Sequence, residues 1–293
     1  MDLQAIGRKL DLYEKLMRLD KPIGTLLLLW PTLWALWLAV RGVPQWWILV
    51  VFLLGTVLMR SAGVVINDFA DRNFDPHVAR TKDRPLAAGL VGPTEALILA
   101  GVLGLLAFAL VLTLNRLTVL LAFVGAFLAV SYPFTKRFFA IPQAYLGIAF
   151  GFGIPMAYAA QLDRVPVDAW VLLLANIFWT IAYDTEYAMV DREDDRAIGI
   201  RTSALLFGRF DVAAVMLCHV AFLALLTGLG WHLRLAWPFY VGLASAAALA
   251  GFQYTLIRGR EPGRCFRAFL NNNWAGGAVF AGIALALVAE RNL

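Results

Sequence analysis

Charge is scarce in this chain, and so are the residue types that build most soluble sites. Only 15% of its 293 residues are charged, whereas 61% are hydrophobic, which excludes an ordinary soluble domain. The two cysteines, Cys218 and Cys265, have no Cys-x-x-Cys spacing, so no disulfide framework is expected. His77, His219 and His232 are too few and too scattered for a zinc cluster. No stretch alternates apolar and polar residues for long, which argues against a closed β-barrel. Residues 1–20 lack an early apolar core followed by a small-residue cleavage site. They read as an amphipathic surface helix rather than a signal peptide.

What the chain has in abundance is apolar runs long enough to cross a bilayer. Nine candidates lie at about 23–41, 45–66, 93–113, 117–134, 140–161, 167–187, 211–230, 235–257 and 273–289. Helices are expected, because lipid cannot satisfy free backbone groups. With the N-terminus inside, the segments on that side carry nineteen Lys and Arg residues and those on the other side five; Arg60 falls within a span. The positive-inside rule therefore places the N-terminus in the cytoplasm. The net charge of +5 reflects topology and gives no case for nucleic acid, since the cations are spread over five loops. Trp46, Trp47, Trp231 and Trp237 suit an interfacial belt.

Against this background, two acidic patches stand out, each at the inner end of a span. The first is "NDFADRNFD", Asn67 to Asp75. If the second span continues as a helix, Asn67, Asp71 and Asp75 fall within roughly 80° of one another. The second is "YDTEYAMVDREDD", Tyr183 to Asp195, where Asp184, Asp191 and Asp195 would share one helical face with Tyr187 beside them. A basic stretch follows each, "ARTKDRPLAAG" and "IGIRTSALLFG", so the chain reads as two related halves. Like charges at i, i+4 destabilise a helix unless something neutralises them. Mg²⁺ does so with oxygen ligands, and it usually shares them with phosphate oxygens. Two facing clusters could hold Mg²⁺ around a diphosphate, with nearby cations on its remaining oxygens.

These motifs resemble the UbiA superfamily of intramembrane prenyltransferases. "NDFADRNFD" fits its Asn-Asp-x-x-Asp-x-x-x-Asp motif and "DREDD" its second Asp-x-x-x-Asp motif. "RLDKPIGTLLLLWPTLWALWLA", "RTKDRPLAAG", "YPFTKRFFAIPQAYLG" and "AYDTEYAMVDREDD" are similar to the bacterial 4-hydroxybenzoate polyprenyltransferases of ubiquinone biosynthesis, over about residues 17–210. The resemblance implies an all-α membrane protein of nine transmembrane helices. They would surround a central polar cavity open to the cytoplasmic side, as a pseudo-repeat of two four-helix halves. Residues 1–20 would form the surface helix and 21–293 one prenyltransferase domain in the bacterial inner membrane. The implied substrates are a polyprenyl diphosphate and 4-hydroxybenzoate, with Mg²⁺ as cofactor, membrane lipid as surroundings and no nucleic acid. Asn67, Asp71, Asp75, Asp191 and Asp195 would hold the metal, with Asp68 and Asp184 as further candidates. Asp71, Asp75, Asp191 and Asp195 would be catalytic. Lys21, Arg72, Arg80, Lys82, Arg84 and Arg201 are the diphosphate candidates. Arg137, in "YPFTKR", and Tyr187 are the acceptor candidates.

Three other readings compete. Within the superfamily, the acceptor could be homogentisate or dihydroxynaphthoate. A divalent-cation or organic-anion transporter would place its acids near the bilayer midplane on broken helices, whereas both clusters here lie at helix ends. A CDP-alcohol phosphatidyltransferase would carry an Asp-Gly-x-x-Ala-Arg signature, which this sequence lacks.

Overall fold

The computed structural model describes residues 3–73, 75–77, 81–135, 138–199 and 201–291, and among these it contains helices and no strand. A short helix, α1 (Leu3–Met17), precedes α2 (Ile23–Val40), α3 (Trp46–Asp71), α4 (Pro93–Val111), α5 (Arg116–Thr135), α6 (Pro142–Gly151), α7 (Gly153–Leu162) and α8 (Val167–Ala188). Two short helices, α9 (Arg192–Ile198) and α10 (Ser203–Phe207), lead to α11 (Asp211–His232), α12 (Trp237–Ile257) and α13 (Pro262–Arg291). Nine segments among the described residues are long and apolar enough to span a membrane, with α6–α7 and α10–α11 each counting as one. The fifth span is interrupted at Phe152. Pro155 lies just beyond it, and a proline ring crowds the carbonyl four residues earlier, here that of Gly151.

The core gathers where α2, α8, α11 and α13 meet. Trp34 and Trp179 lie 5.2 Å apart between ring centroids, and Trp179 stacks on Phe222 at 5.7 Å. Both indole N–H groups find acceptors on α13: Trp34 donates to the Gly276 carbonyl and Trp179 to Asn272 Oδ1. A buried donor in a lipid-surrounded bundle needs such a partner. The same logic starts α13 earlier than its apolar run. Residues 262–272 are too polar to read as a span, yet Arg264 donates to the Thr255 carbonyl and Asn272 to Glu186 Oε2.

Hydrogen bonds sort the loops into two ends. At one end Arg18 meets Asp68, Arg201 donates to the Phe138 carbonyl, and Arg192 and Arg260 meet Asp211. At the other, Arg41 meets Glu290 and the Leu233 carbonyl, and Asn115 donates to the Ala159 carbonyl. The first end holds the cation-rich segments. Trp46, Trp231 and Trp237 are exposed at the second. α1 lies along the first end, with Leu16 buried in a cluster with Val65, Leu86, Val91 and Ala96.

Candidate functional site

A cavity of about 1,400 Å³ opens at the cation-rich end and runs down between α2, α3, α4, α5 and α8. Small-molecule pockets are commonly ~300–1,000 Å³, so this one suits a long ligand. Its polarity is graded. Along α3 the lining passes from Asp71 and Asn67 to Arg60, about two turns deeper, and then to Thr56, Phe52 and Val51. On α4 and α5 the lining is Gly101, Gly104, Leu105, Phe108, Phe123 and Ala126. The cavity anticipated as polar is thus polar at its mouth and apolar in its depth.

The six acidic-motif residues Asn67, Asp71, Asp75, Asp184, Asp191 and Asp195 all line this cavity. Neither patch is one continuous helix. α3 runs through Asp71 and stops, and Asp75 opens a 3₁₀ turn, Asp75–His77. Pro76 disfavours helix at the residue before it. In the second patch α8 ends at Ala188 and α9 begins at Arg192. The break puts Glu193, Asp194 and Asp195 in the first turn of a new helix, where the dipole favours acids. The expected shared face of Asp184, Asp191 and Asp195 therefore does not form on one helix. The three reach the same cavity from two.

Asp68 is placed differently. It is 2% exposed, does not line the cavity, and its Oδ1 accepts from Arg18 Nη2 at 2.6 Å and Arg84 Nη1 at 3.0 Å. Arg84 Nη1 also donates to Asp75 Oδ2 at 2.9 Å. Burial pushes the Asp75 carboxyl above its ordinary value; Arg84 opposes that, and Asp68 and Asp71 add to it. Among the diphosphate candidates, Lys21, Arg84 and Arg201 line the cavity. Arg72 instead lies over the Phe69 ring at 4.3 Å and donates to the Phe69 carbonyl, and Lys82 is exposed outside the lining. Arg80 and Arg137 lie outside the described residues. Tyr187 lines the mouth and packs on Phe269 at 4.8 Å and on Phe266 at 6.2 Å.

Sequence reasoning passed over Arg60. It lines the cavity inside a span, and its Nε has no hydrogen-bond partner among the described residues. Gly24 makes room for it, since a Cβ there would collide with Arg60 Nη2. A lone arginine within an apolar span was itself the available signal, because intramembrane charges are costly and usually functional.

The donor set fits a hard divalent cation. The mouth offers carboxylate and amide oxygens, and no His or Cys is among the described lining residues. Among the described residues no three His, Cys, Asp or Glu side chains converge enough to hold an ion unaided.

Residues 28–287 match the UbiA prenyltransferase family. A 4-hydroxybenzoate octaprenyltransferase of Dechloromonas aromatica is 63% identical over 295 residues, covering 100% of both chains. That of Thiobacillus denitrificans is 65% identical over 281 residues, covering 96% of each. Among solved structures, an apo UbiA homolog from Aeropyrum pernix superposes with a TM-score of 0.79 at 26% identity, over 89% of this chain and 97% of that one. A UbiA homolog from Archaeoglobus fulgidus bound to GPP and Mg²⁺ shares the fold with a TM-score of 0.70 at 18% identity, over 95% of this chain and 99% of its own.

Proposed function

The chain belongs to the UbiA prenyltransferase family, and from that premise we propose how its cavity works. The protein is a multi-pass membrane enzyme that transfers a polyprenyl group to 4-hydroxybenzoate, as its full-length relatives are named for doing. The octaprenyl length in those names is the length we propose for this chain. One observation carries the mechanism: two acidic segments from separate spans meet at the mouth of one cavity whose depth is apolar. A diphosphate head can stay at that mouth while its prenyl tail lies among Leu105, Phe108, Phe123 and their neighbours.

Asn67, Asp71, Asp75, Asp184, Asp191 and Asp195 would hold Mg²⁺. When bound, Mg²⁺ supplies positive charge that stabilises diphosphate as a leaving group. The Mg²⁺ bound with GPP in the Archaeoglobus fulgidus fold neighbour supports this reading. Lys21, Arg84 and Arg201 would take the remaining phosphate oxygens. The allylic C–O bond breaks and its electron pair leaves with the diphosphate. The ring carbon ortho to the phenol hydroxyl then attacks the allylic cation, and a proton is lost from that carbon. The apolar depth keeps water from the cation. The ring faces of Tyr187, Phe266 and Phe269 at the mouth suit both the aromatic acceptor and the cation.

The acceptor brings its own carboxylate, and a charge inside the bundle needs a partner. Arg60 lies inside the cavity, and we assign it that role alongside Arg137, the candidate from the "YPFTKR" motif. The cation-rich end would face the cytoplasm of the inner membrane, by the nineteen-to-five asymmetry of Lys and Arg. The test is direct. Membranes containing the protein, octaprenyl diphosphate, Mg²⁺ and a panel of aromatic acids should yield prenylated 4-hydroxybenzoate by mass spectrometry. EDTA should stop the reaction and added Mg²⁺ restore it. Prenylation of homogentisate or dihydroxynaphthoate in preference, or activity that persists in EDTA, would overturn the corresponding part.

A further inference from the structure

α9 has seven residues, too few to hold a helix by itself, since isolated helices below ~12–15 residues are marginal even in favourable sequences. Yet Asp191 at its N-cap and Asp195 in its first turn both line the cavity. Something outside the helix must fix its direction. Between those two acids stands Arg192, which does not line the cavity. Its Nη2 donates to Oδ2 of Asp211, the first residue of α11.

Asp211 is fully buried and is held from several sides. Arg260, in the turn between α12 and α13, donates through Nε to Oδ1 at 3.0 Å and Oδ2 at 3.1 Å, and through Nη2 to Oδ1 at 2.7 Å. The backbone N–H of Val212 donates to Oδ1 at 2.6 Å. Arg260 Nη2 also donates to the Arg209 carbonyl at 2.8 Å, and Arg260 holds a left-handed φ of 55°, a conformation unfavourable for an L residue unless its surroundings fix it. One carboxylate therefore joins α9, the turn before α11, α11 itself and the α12–α13 turn. A buried carboxylate between two arginines is a costly way to add stability but a stringent way to fix geometry.

We propose that Asp211 is a positioning residue for the second acidic segment. Through Arg192 it sets the start of α9, and so the direction from which Asp191 and Asp195 face the cavity. The proposal rests on the metal-binding reading of those two aspartates. Asp211 belongs to neither aspartate motif and touches neither the cavity nor a reacting group.

The experiment uses the purified full-length protein and geranyl S-thiolodiphosphate, an allylic diphosphate analogue that does not turn over. The readout is the Mg²⁺ concentration at which the analogue half-maximally raises the thermal unfolding midpoint. Asp211→Asn should require roughly 10–100-fold more Mg²⁺, the usual cost of losing a residue that orients metal ligands. Arg260→Lys, which keeps the charge and loses the fork, should shift the requirement less and in the same direction. Glu290→Gln breaks a clamp at the opposite end, where Glu290 accepts from Arg41 Nη2 at 2.7 Å and from the Ala236 backbone at 3.2 Å. It should lower the unliganded midpoint and leave the Mg²⁺ requirement alone. An unchanged or lower requirement in Asp211→Asn overturns the proposal, as does an equal shift in Glu290→Gln. Should Asp211→Asn not fold, an unshifted Arg260→Lys overturns it as well. A wild type indifferent to Mg²⁺ overturns the metal reading and this proposal together; a Mg²⁺-dependent wild type beside an unshifted Asp211→Asn overturns this proposal alone.

Discussion

In the first acidic segment one arginine joins a buried anchor to a cavity-lining acid: Arg84 reaches Asp68 at 3.0 Å and Asp75 at 2.9 Å from the same nitrogen. In the second, Arg192 and Arg260 meet Asp211, behind the segment and away from the cavity. Both halves thus use a buried aspartate held by two arginines. In both, one of those arginines sits at a left-handed φ, Arg18 at 53° and Arg260 at 55°. The difference lies in what must change when substrate arrives. On the metal-binding reading, Arg84 holds Oδ2 of Asp75, so the full carboxylate turns to a cation only as that contact loosens, and a loosened guanidinium beside a diphosphate has a ready partner. The second clamp can stay closed throughout. On that reading the first segment rearranges and the second stays fixed.

Removing a charged ligand from either segment tests the premise beneath the comparison, that both serve one metal-bound diphosphate. Asp71→Asn and Asp191→Asn should each abolish measurable turnover while the protein stays folded in the membrane. Asp163→Asn is the control. Asp163 caps α7 with a left-handed φ of 52° at the opposite end, a conformation that asparagine tolerates well. Wild-type rates in Asp191→Asn, by product mass spectrometry, would reduce the site to the first segment alone.

Arg60 lies deeper than both segments and sharpens the comparison by separating the substrates. Arg60→Ala should weaken use of 4-hydroxybenzoate by roughly 2–5 kcal/mol, the range for truncating one partner of a buried charge pair. Its effect on the polyprenyl diphosphate should be much smaller. Arg60→Lys should recover little, because an ammonium cannot copy the bidentate fork. Varying the two substrates separately decides the matter. A rise in KM for the diphosphate alone would move Arg60 to the phosphate site, and a loss confined to Arg137→Ala would return the acceptor role to the motif arginine.

Asp68→Asn should act more mildly than Asp71→Asn, although the two lie three residues apart. It replaces the carboxylate that Arg18 and Arg84 share with a neutral amide oxygen, a loss of roughly 1–3 kcal/mol of stability, seen as a lower unfolding midpoint. Turnover should fall and remain measurable. Complete loss of turnover at an unchanged midpoint would make Asp68 a ligand and remove the parallel with Asp211.

The span count and the gathering of the two motifs were legible because each rests on a local signal: apolar length for the spans, and acid spacing for the motifs. The helix break before α9 was not. Asp184 to Asp195 keeps helical spacing, and only the crowding of Glu193, Asp194 and Asp195 hinted that a new helix start would suit them better. The early start of α13 was hidden because its polar residues are satisfied by partners distant in sequence, as Asn272 is by Glu186 and Trp179. Asp211 was hidden for the same reason. One aspartate ahead of an apolar run looks like an ordinary helix start, and the arginines that give it meaning lie 19 and 49 residues away. Arg72 and Lys82 show the converse: a basic residue near a motif carries no mark of which way it points.

The smallest expected effect is on pH, and it bears on whether the first segment alone rearranges. Burial raises the Asp75 carboxyl and Arg84 holds it down. A carboxyl with a raised pKa takes up its proton earlier on acidification, so Mg²⁺-dependent binding that needs it ionised is lost at a higher pH than for an exposed aspartate. Above that range the affinity is level, and through it binding releases a proton. Arg84→Gln removes the opposing cation, so the acid limb should move to still higher pH. Arg84→Lys should bring it part of the way back. The diphosphate titrates too, so the informative quantity is the difference between wild type and Asp75→Asn, measured as analogue-induced thermal protection across an acidic pH series. An identical limb in Asp75→Asn would assign the titration to the ligand. A limb that moves down in Arg84→Gln would mean that Arg84 does not face the ionised Asp75 in the resting protein, and the contrast between a rearranging first segment and a fixed second one would lose its basis.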